Sequence, residues 1–150
     1  MESLHPLVVH FPVALLLAAF LIETLALLFK RPAWHWVSLW NLCLGVLGAA
    51  VAVVTGRQAM AVAKHSFQIY QVMTLHENLG YGVAALVLLV ASWRLAARDQ
   101  LKRWARWVTW ALLAAASGMM VFSAHLGGRM VYEFGVGGSY GHSGGIEVVR

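Results

Sequence analysis

Four long apolar stretches constrain the fold of this 150-residue chain more than any other feature of its sequence. They cover residues 7–29, 36–54, 75–97 and 107–126. Because a helix needs about 20 mainly apolar residues to cross the hydrocarbon core of a bilayer, each stretch predicts one transmembrane helix. The four helices use more than half of the chain and leave no room for a large soluble domain. We therefore predict an all-α fold, a four-helix transmembrane bundle that forms a single domain over residues 1–150.

Composition excludes the other broad classes of protein. Charged residues make up 11% of the chain and hydrophobic residues 61%, whereas an ordinary soluble domain has about 25% charged residues. This balance excludes a soluble globular protein, a disordered chain and a nucleic-acid-binding protein, although the net charge is +5. The single cysteine, Cys43, excludes a disulfide framework and any CxxC motif. No basic region precedes the first apolar stretch, so we expect a retained span rather than a cleaved signal peptide.

The basic residues predict the orientation of the bundle. Seven of them lie on the side of the two loops that join spans one to two and three to four: Lys30, Arg31, Arg94, Arg98, Lys102, Arg103 and Arg106. The opposite side has four: Arg57, Lys64, Arg129 and Arg150. The side richer in lysine and arginine is usually cytoplasmic, which predicts a bacterial inner-membrane protein with both termini outside, in the periplasm. All seven tryptophans lie toward the predicted cytoplasmic ends of the spans.

Six of the seven histidines are predicted to lie on the outer side. His10, His76 and His125 belong to three different helices at similar depth, and His5 lies with His10 at the start of span one. An ionisable group inside a membrane is costly, so it usually faces the bundle interior and serves a function. We therefore expect these histidines to come within reach of one another in the outer half of the bundle.

The other three histidines and the one intramembrane acid have simpler interpretations. His35 lies between two tryptophans on the cytoplasmic side and is predicted to be an interfacial anchor. His65 falls in the outer loop and His142 in the tail, where a polar residue needs no special role. Glu23 could reach toward Lys30, pair with Arg94 or be protonated, and of these a structural ion pair is predicted.

Two segments are predicted to lie outside the spans. The stretch from residue 56 to residue 74 reads as an outer loop that contains a short interfacial helix. The glycine-rich tail, residues 127–150, reads as loop or turn.

Imidazole binds haem iron, zinc and copper, so the outer histidines predict a metal or haem site. A b-type haem needs one or two histidines on facing helices and an apolar slot, and two haems would use His5, His10, His76 and His125 together. Copper is the alternative metal, because several methionines share the outer half: Met60, Met73, Met119, Met120 and Met130. Zinc would use His10, His76 and His125 with Glu77.

Several short motifs along the chain resemble those of a known family. The opening His5-Pro6-Leu7-Val8-Val9-His10-Phe11-Pro12 resembles the HPxxVHFP signature of bacterial four-helix membrane proteins catalogued as a domain of unknown function. The likeness covers nearly the whole chain and continues through Thr55-Gly56, His76 and Ala124-His125-Leu126-Gly127-Gly128. That family is similar in outline to membrane cytochromes b, and some of its relatives are fused or adjacent to Rieske-type redox proteins. The resemblance implies a haem-bearing redox role for His5, His10, His76 and His125.

The sequence thus predicts a membrane b-type cytochrome subunit. Haem b, one or two per chain, would be ligated by two of His10, His76 and His125, with His5 as a ligand or as a partner of a ligand. Electrons would pass between a periplasmic redox partner and the quinone pool or another membrane subunit, so we expect an electron-transfer subunit rather than a stand-alone enzyme. Two alternatives stay open: a copper- or zinc-binding membrane protein, and a cofactor-free anchor or assembly subunit in contact with lipid and partner subunits.

Overall fold

The computed structural model of the protein describes residues 5–62 and 67–135. For residues 61 and 62 only the backbone is described. The described residues form five helices, which are α1 (His5–Val8), α2 (His10–Leu28), α3 (Pro32–Val62), α4 (Phe67–Ala96) and α5 (Arg103–Tyr132). Only Val9 separates α1 from α2, so together they make the first span. All four spans are long and apolar enough to cross a membrane. The predicted all-α, four-helix transmembrane fold is confirmed.

Three of the helices are longer than the sequence pattern predicts. α3, α4 and α5 contain 31, 30 and 30 residues, so each is about 45 Å long, whereas a hydrocarbon core is about 30 Å thick. The predicted loop over residues 56–74 is largely wrong, because α3 continues to its last residue at position 62 and α4 begins at position 67. The glycine-rich tail also starts later than predicted, since α5 continues through Gly127 and Gly128.

The two ends of the bundle differ in their side chains. At one end of the bundle, α2 and α4 finish and α3 and α5 begin. We call it the tryptophan end, because Trp36, Trp93 and Trp107 lie close to it. The opposite end, which contains His5 and His76, is the histidine end. Tryptophan prefers the membrane–water interface, so this belt marks one boundary of the hydrocarbon core.

The helices pack as two close pairs. α2 packs mainly on α3 and α4 mainly on α5, α3 joins the two pairs through α4, and α2 and α5 share a smaller contact. Leu16, Leu42, Val87 and Leu113 meet in the centre of the bundle, each no more than 3% exposed. Lipid tails are as apolar as these side chains, so close packing rather than exclusion of water holds the helices together.

A network of charged side chains links all four spans at the tryptophan end. Arg94 is fully buried and donates from Nε and Nη2 to the two carboxylate oxygens of Asp99, at 2.9 and 3.1 Å. Its Nη1 lies 3.1 Å from Ser38 Oγ and 3.0 Å from Glu23 Oε2. Arg106 Nη1 lies 3.1 Å from Asp99 Oδ1. Two guanidinium groups therefore balance two carboxylates inside the bundle.

The predicted pairing of Glu23 with Arg94 is confirmed, whereas the interpretation of His35 is wrong. His35 Nδ1 donates to Glu23 Oε1 at 2.8 Å, and its side chain is only 15% exposed. The ring points into the network because Glu23 is fully buried and its carboxylate needs donors: His35 serves Oε1, while Arg94 Nη1 lies 3.0 Å from Oε2. Two aromatic neighbours in sequence therefore suggested the wrong environment for this ring.

Candidate functional site

Two of the histidines singled out by the sequence meet at the histidine end. The ring centroids of His5, on α1, and His76, on α4, lie 6.4 Å apart, and the ring planes are nearly perpendicular, at 83°. Both side chains are partly buried. Residues from α3 and α5 complete the surroundings of the pair, so every span contributes to this part of the bundle.

The hydrogen bonds of His5 determine which of its nitrogens carries the proton. Its Nδ1 lies 3.1 Å from Thr55 Oγ1. The Thr55 hydroxyl itself donates to the carbonyls of Val51 and Ala52, at 3.0 and 3.2 Å, so toward His5 it acts as an acceptor. A neutral His5 therefore carries its proton on Nδ1 and keeps a lone pair on Nε2.

His76 is oriented in the same way from α5. Its Nδ1 lies 2.8 Å from the carbonyl oxygen of Ser123, which can only accept, and 3.0 Å from the Ser123 hydroxyl. Neutral His76 thus also carries its proton on Nδ1. A histidine that binds a metal typically donates its other N–H to a carbonyl or a similar acceptor, which fixes the tautomer and the ring orientation. Both rings of the pair meet this condition.

Glycine lets both rings lie close to neighbouring helices. A Cβ atom at Gly56 would stand 3.0 Å from His5 Cε1, and one at Gly127 would stand 3.5 Å from His76 Cε1. The helical glycines of α3 and α5 are therefore places where an imidazole packs directly on the backbone. Only the contact at Gly56 is tight, because 3.5 Å is an ordinary van der Waals distance that an alanine at position 127 would also make.

The donor set fits a group that takes two imidazole ligands. Imidazole nitrogen binds a metal ion at about 2.0 Å, so an ion between two rings would separate their centroids by about 6 Å, close to the observed separation. In the described ranges no three side chains of histidine, cysteine, aspartate or glutamate lie close enough to share one ion. The pair offers two imidazole nitrogens, fewer than the three or four protein ligands of a tetrahedral zinc site.

His10 and His125 do not join this pair. Both side chains are exposed, and His10 Nδ1 donates to the carbonyl oxygen of Pro6 at 2.6 Å. The expected convergence of His10, His76 and His125 is therefore not what the structure shows. The cause is helical geometry: five residues separate His5 from His10, which turns the two side chains to different faces of the first span.

The remaining residues named from the sequence have these positions. Glu77, the proposed fourth zinc ligand, accepts a hydrogen bond from Tyr81 at 2.5 Å on the exposed side of α4. Met73 is buried on α4, and Met120 lies in the core, where methionine is an ordinary filler. His65 and His142 lie outside the described residues.

At the end of α5, a hydrogen bond from Arg129 lowers the pKa of the Glu133 carboxyl.

The pair lies close to the edge of the hydrocarbon core. His76 precedes Trp93 by 17 residues, which is about 26 Å along α4. Since the core is about 30 Å thick and the tryptophans mark its other boundary, the two rings lie just inside the boundary at the histidine end. A group bound here would be accessible to a partner in the adjoining aqueous phase.

Comparison with known proteins identifies one family. A sequence model of the DUF2231 family, described as a predicted membrane protein, matches residues 1–139. No curated protein and no solved structure gives a significant match.

Proposed function

We propose, from the premise that this chain belongs to the DUF2231 family of predicted membrane proteins, that it is a b-type cytochrome subunit. Its haem would be held by His5 and His76 at the histidine end. Haem supplies one-electron chemistry, and the protein supplies the ligands, their orientation and an apolar setting. Electron transfer is therefore the role that these residues support best.

The observation that carries this proposal is the pair of imidazoles with matching tautomers. Thr55 and the Ser123 carbonyl both accept from Nδ1, so both rings offer Nε2 as the ligand atom. Hydrogen bonding at Nδ1 also makes Nε2 a better electron donor, which strengthens metal ligation. A pair of histidines that merely linked helices would need no such agreement between two rings on different helices.

The place of the pair suggests the partners. The count of seven basic residues against four favours a cytoplasmic tryptophan end, so the haem would lie near the periplasmic surface of a bacterial inner membrane. A periplasmic redox protein could then exchange electrons with it. On the membrane side the partner would be the quinone pool or another membrane subunit.

Copper is a second candidate, favoured by the position of one methionine. Met73 is buried on α4 one turn before His76, and imidazole with thioether suits Cu(I). Metal analysis separates the two candidates by identifying iron or copper. The absorption spectrum also separates them, because haem has a characteristic spectrum that a copper site lacks.

Substitution of each ligand tests the proposal. We expect His76→Ala and His5→Ala each to remove one haem per chain, measured by the pyridine haemochrome assay on protein purified in detergent. Asn78→Ala is the matched control, because Asn78 is exposed on α4 two residues after His76, and it should keep the wild-type haem content. Wild-type haem content in His76→Ala would overturn the assignment, and copper in place of haem would favour the second candidate.

A further inference from the structure

The acidic side chains at the tryptophan end are used inside the bundle. Glu23 and Asp99 are both buried, and within residues 5–62 and 67–135 they are the two acids of this end. Arg94 lies 3.0 Å from Glu23 and 2.9 Å from Asp99, and Arg106 lies 3.1 Å from Asp99. The two carboxylates and the two guanidinium groups therefore neutralise one another, and none of these carboxylates is at the surface.

The exposed charges that remain at this end are all positive. The sequence has seven basic residues here, and the buried network uses two of them. We call the exposed five the cationic surface: Lys30, Arg31, Arg98, Lys102 and Arg103. None of the five forms an ion pair with an acid in the part of the chain that the structure describes. A cluster of four to eight such residues beside a membrane span attracts anionic lipid headgroups.

One residue of the cationic surface lines an open cleft between the end of α2 and the beginning of α3. The cleft has a volume of about 360 Å³, and its lining consists of Phe29, Arg31 and Trp34. The two aromatic rings meet edge to face, with centroids 6.1 Å apart and planes at 71°. A single guanidinium group therefore lies beside two aromatic rings, in a space large enough for part of a small molecule.

A tight turn builds this cleft. Lys30 has a φ of 53°, in the left-handed region, and the Arg31 N–H donates to the Ala26 carbonyl at 3.0 Å, which ends α2 in a Schellman motif. The Trp34 N–H then donates to the Arg31 carbonyl at 3.1 Å, so α3 begins at once. Backbone hydrogen bonds on both sides of Arg31 therefore hold Phe29 and Trp34 next to each other.

The aromatic part of the cleft belongs to the lipid-facing surface. Phe29 is 61% exposed and the preceding Leu28 is 67% exposed, so the apolar wall continues along the outside of α2. Trp34 belongs to the belt that marks the boundary of the hydrocarbon core. A ligand with an anionic head and an apolar tail matches this change from charged to apolar surroundings. A free anion would make no use of the two rings.

We propose that the cleft lined by Phe29, Arg31 and Trp34 binds an anionic phospholipid. Its phosphate pairs with the Arg31 guanidinium, whose planar fork of N–H donors matches phosphate oxygens. Its glycerol and first acyl carbons lie on the two rings, and the rest of the cationic surface attracts anionic lipid toward the site. The site lies at the opposite end of the bundle from His5 and His76, and it does not depend on haem.

Lipid binding by the full chain in mild detergent tests this site. Native mass spectrometry counts bound phosphatidylglycerol, with zwitterionic phosphatidylcholine as the comparison, and we expect the wild type to prefer phosphatidylglycerol. Arg31→Gln should weaken phosphatidylglycerol binding about 10- to 100-fold, because charge-assisted hydrogen bonds to the phosphate are lost. Arg98→Gln is the matched control. It removes one cation of the same surface outside the cleft and should cost no more than about fivefold.

A second pair of variants tests the apolar half of the site. Trp34→Ala should weaken phosphatidylglycerol binding while all five exposed cations are kept. Trp36→Ala is the matched control, because this tryptophan lies two residues later on α3, is 50% exposed and does not line the cleft. It should bind phosphatidylglycerol like the wild type.

Three results would contradict the proposal. Equal losses in Arg31→Gln and Arg98→Gln would show a general attraction to the cationic surface and no site. Unchanged binding in both Arg31→Gln and Trp34→Ala would exclude the cleft and leave the cationic surface to another partner, such as an acidic protein. Glycerol phosphate has the same anionic group without acyl chains, so displacement of the lipid by glycerol phosphate would show that the cleft recognises a free anion.

Discussion

At the scale of single residues, the orientation of the two paired imidazoles depends on residues that are not histidines. Thr55 and Ser123 accept from Nδ1 of the two rings, and Gly56 lets the His5 ring approach α3 closely. The sequence predicted His10, His76 and His125 as ligands, with His5 as a ligand or a partner of a ligand, because an ionisable group inside a membrane span is costly. It gave no signal for Ser123, because that contact runs through a backbone carbonyl 47 residues away.

The first prediction concerns the acceptor for His5. Thr55→Val keeps the shape of the side chain but removes the oxygen that receives the Nδ1 proton. We expect haem affinity to fall about 10- to 100-fold, the usual cost of removing a hydrogen-bond partner of a metal-ligating histidine. Haem titration of the apoprotein measures it. Thr74→Val is the control, since that hydroxyl donates to the Tyr70 carbonyl of its own helix, and equal losses in both variants would contradict the role of Thr55.

The second prediction concerns the close approach at Gly56. In Gly56→Ala the new methyl group would stand 3.0 Å from His5 Cε1, so the ring must move by a few tenths of an ångström. We expect weaker haem binding and a shifted midpoint potential, measured by redox titration. Gly118→Ala, whose methyl group meets nothing within 4 Å, should leave the His5–His76 haem unchanged. A Gly56→Ala protein with wild-type affinity and potential would show that His5 is not a ligand.

At the scale of the helices, periodicity and apolar length predicted the existence of each span but not where it ends. α3 passes through Gly56 and Arg57, and α5 passes through Gly127 and Gly128, although glycine has a weak helix propensity. The ionic network shows a similar limit. A carboxylate and a guanidinium in spans suggested that Glu23 pairs with Arg94, but nothing local indicated that Asp99 shares the same arginine.

The third prediction concerns this network. Arg94→Met removes a fully buried guanidinium and leaves Glu23 and Asp99 facing each other without it, so we expect a loss of about 3–5 kcal/mol in unfolding free energy. Denaturation in detergent micelles measures the change. The double variant Arg94→Met with Asp99→Asn should recover part of the loss. Arg129→Met, at an exposed pair with Glu133, is the control, and an equally small effect in both single variants would contradict the account.

At the scale of the whole molecule, the sequence was sufficient to predict the four spans, the end of the bundle that holds the tryptophans and the end that holds most of the histidines. It could not predict how the histidines divide. His5 and His10 were treated as one group, yet five residues of helix turn them toward different neighbours. That division follows only from the order in which the helices pack, with α3 between α2 and α4 and a smaller contact between α2 and α5.

The fourth prediction concerns the orientation in the membrane. In a Cys43→Ala background, a cysteine in place of Tyr132, which is 89% exposed at the histidine end, should react with a membrane-impermeant maleimide on intact spheroplasts. A cysteine in place of Gln100, exposed between α4 and α5, should react only after the membrane is permeabilised. The opposite pattern would reverse the orientation and place the histidine pair on the cytoplasmic side.

The most direct test of the central claim is the absorption spectrum of the wild-type protein, purified in detergent from cells that make ample haem and recorded before and after reduction with dithionite. The proposed ligation by His5 and His76 predicts a Soret band and a sharp α-band on reduction, as in a low-spin b-type cytochrome with two imidazole ligands. A protein that shows neither band in both states, and that takes up no added haem, would contradict it.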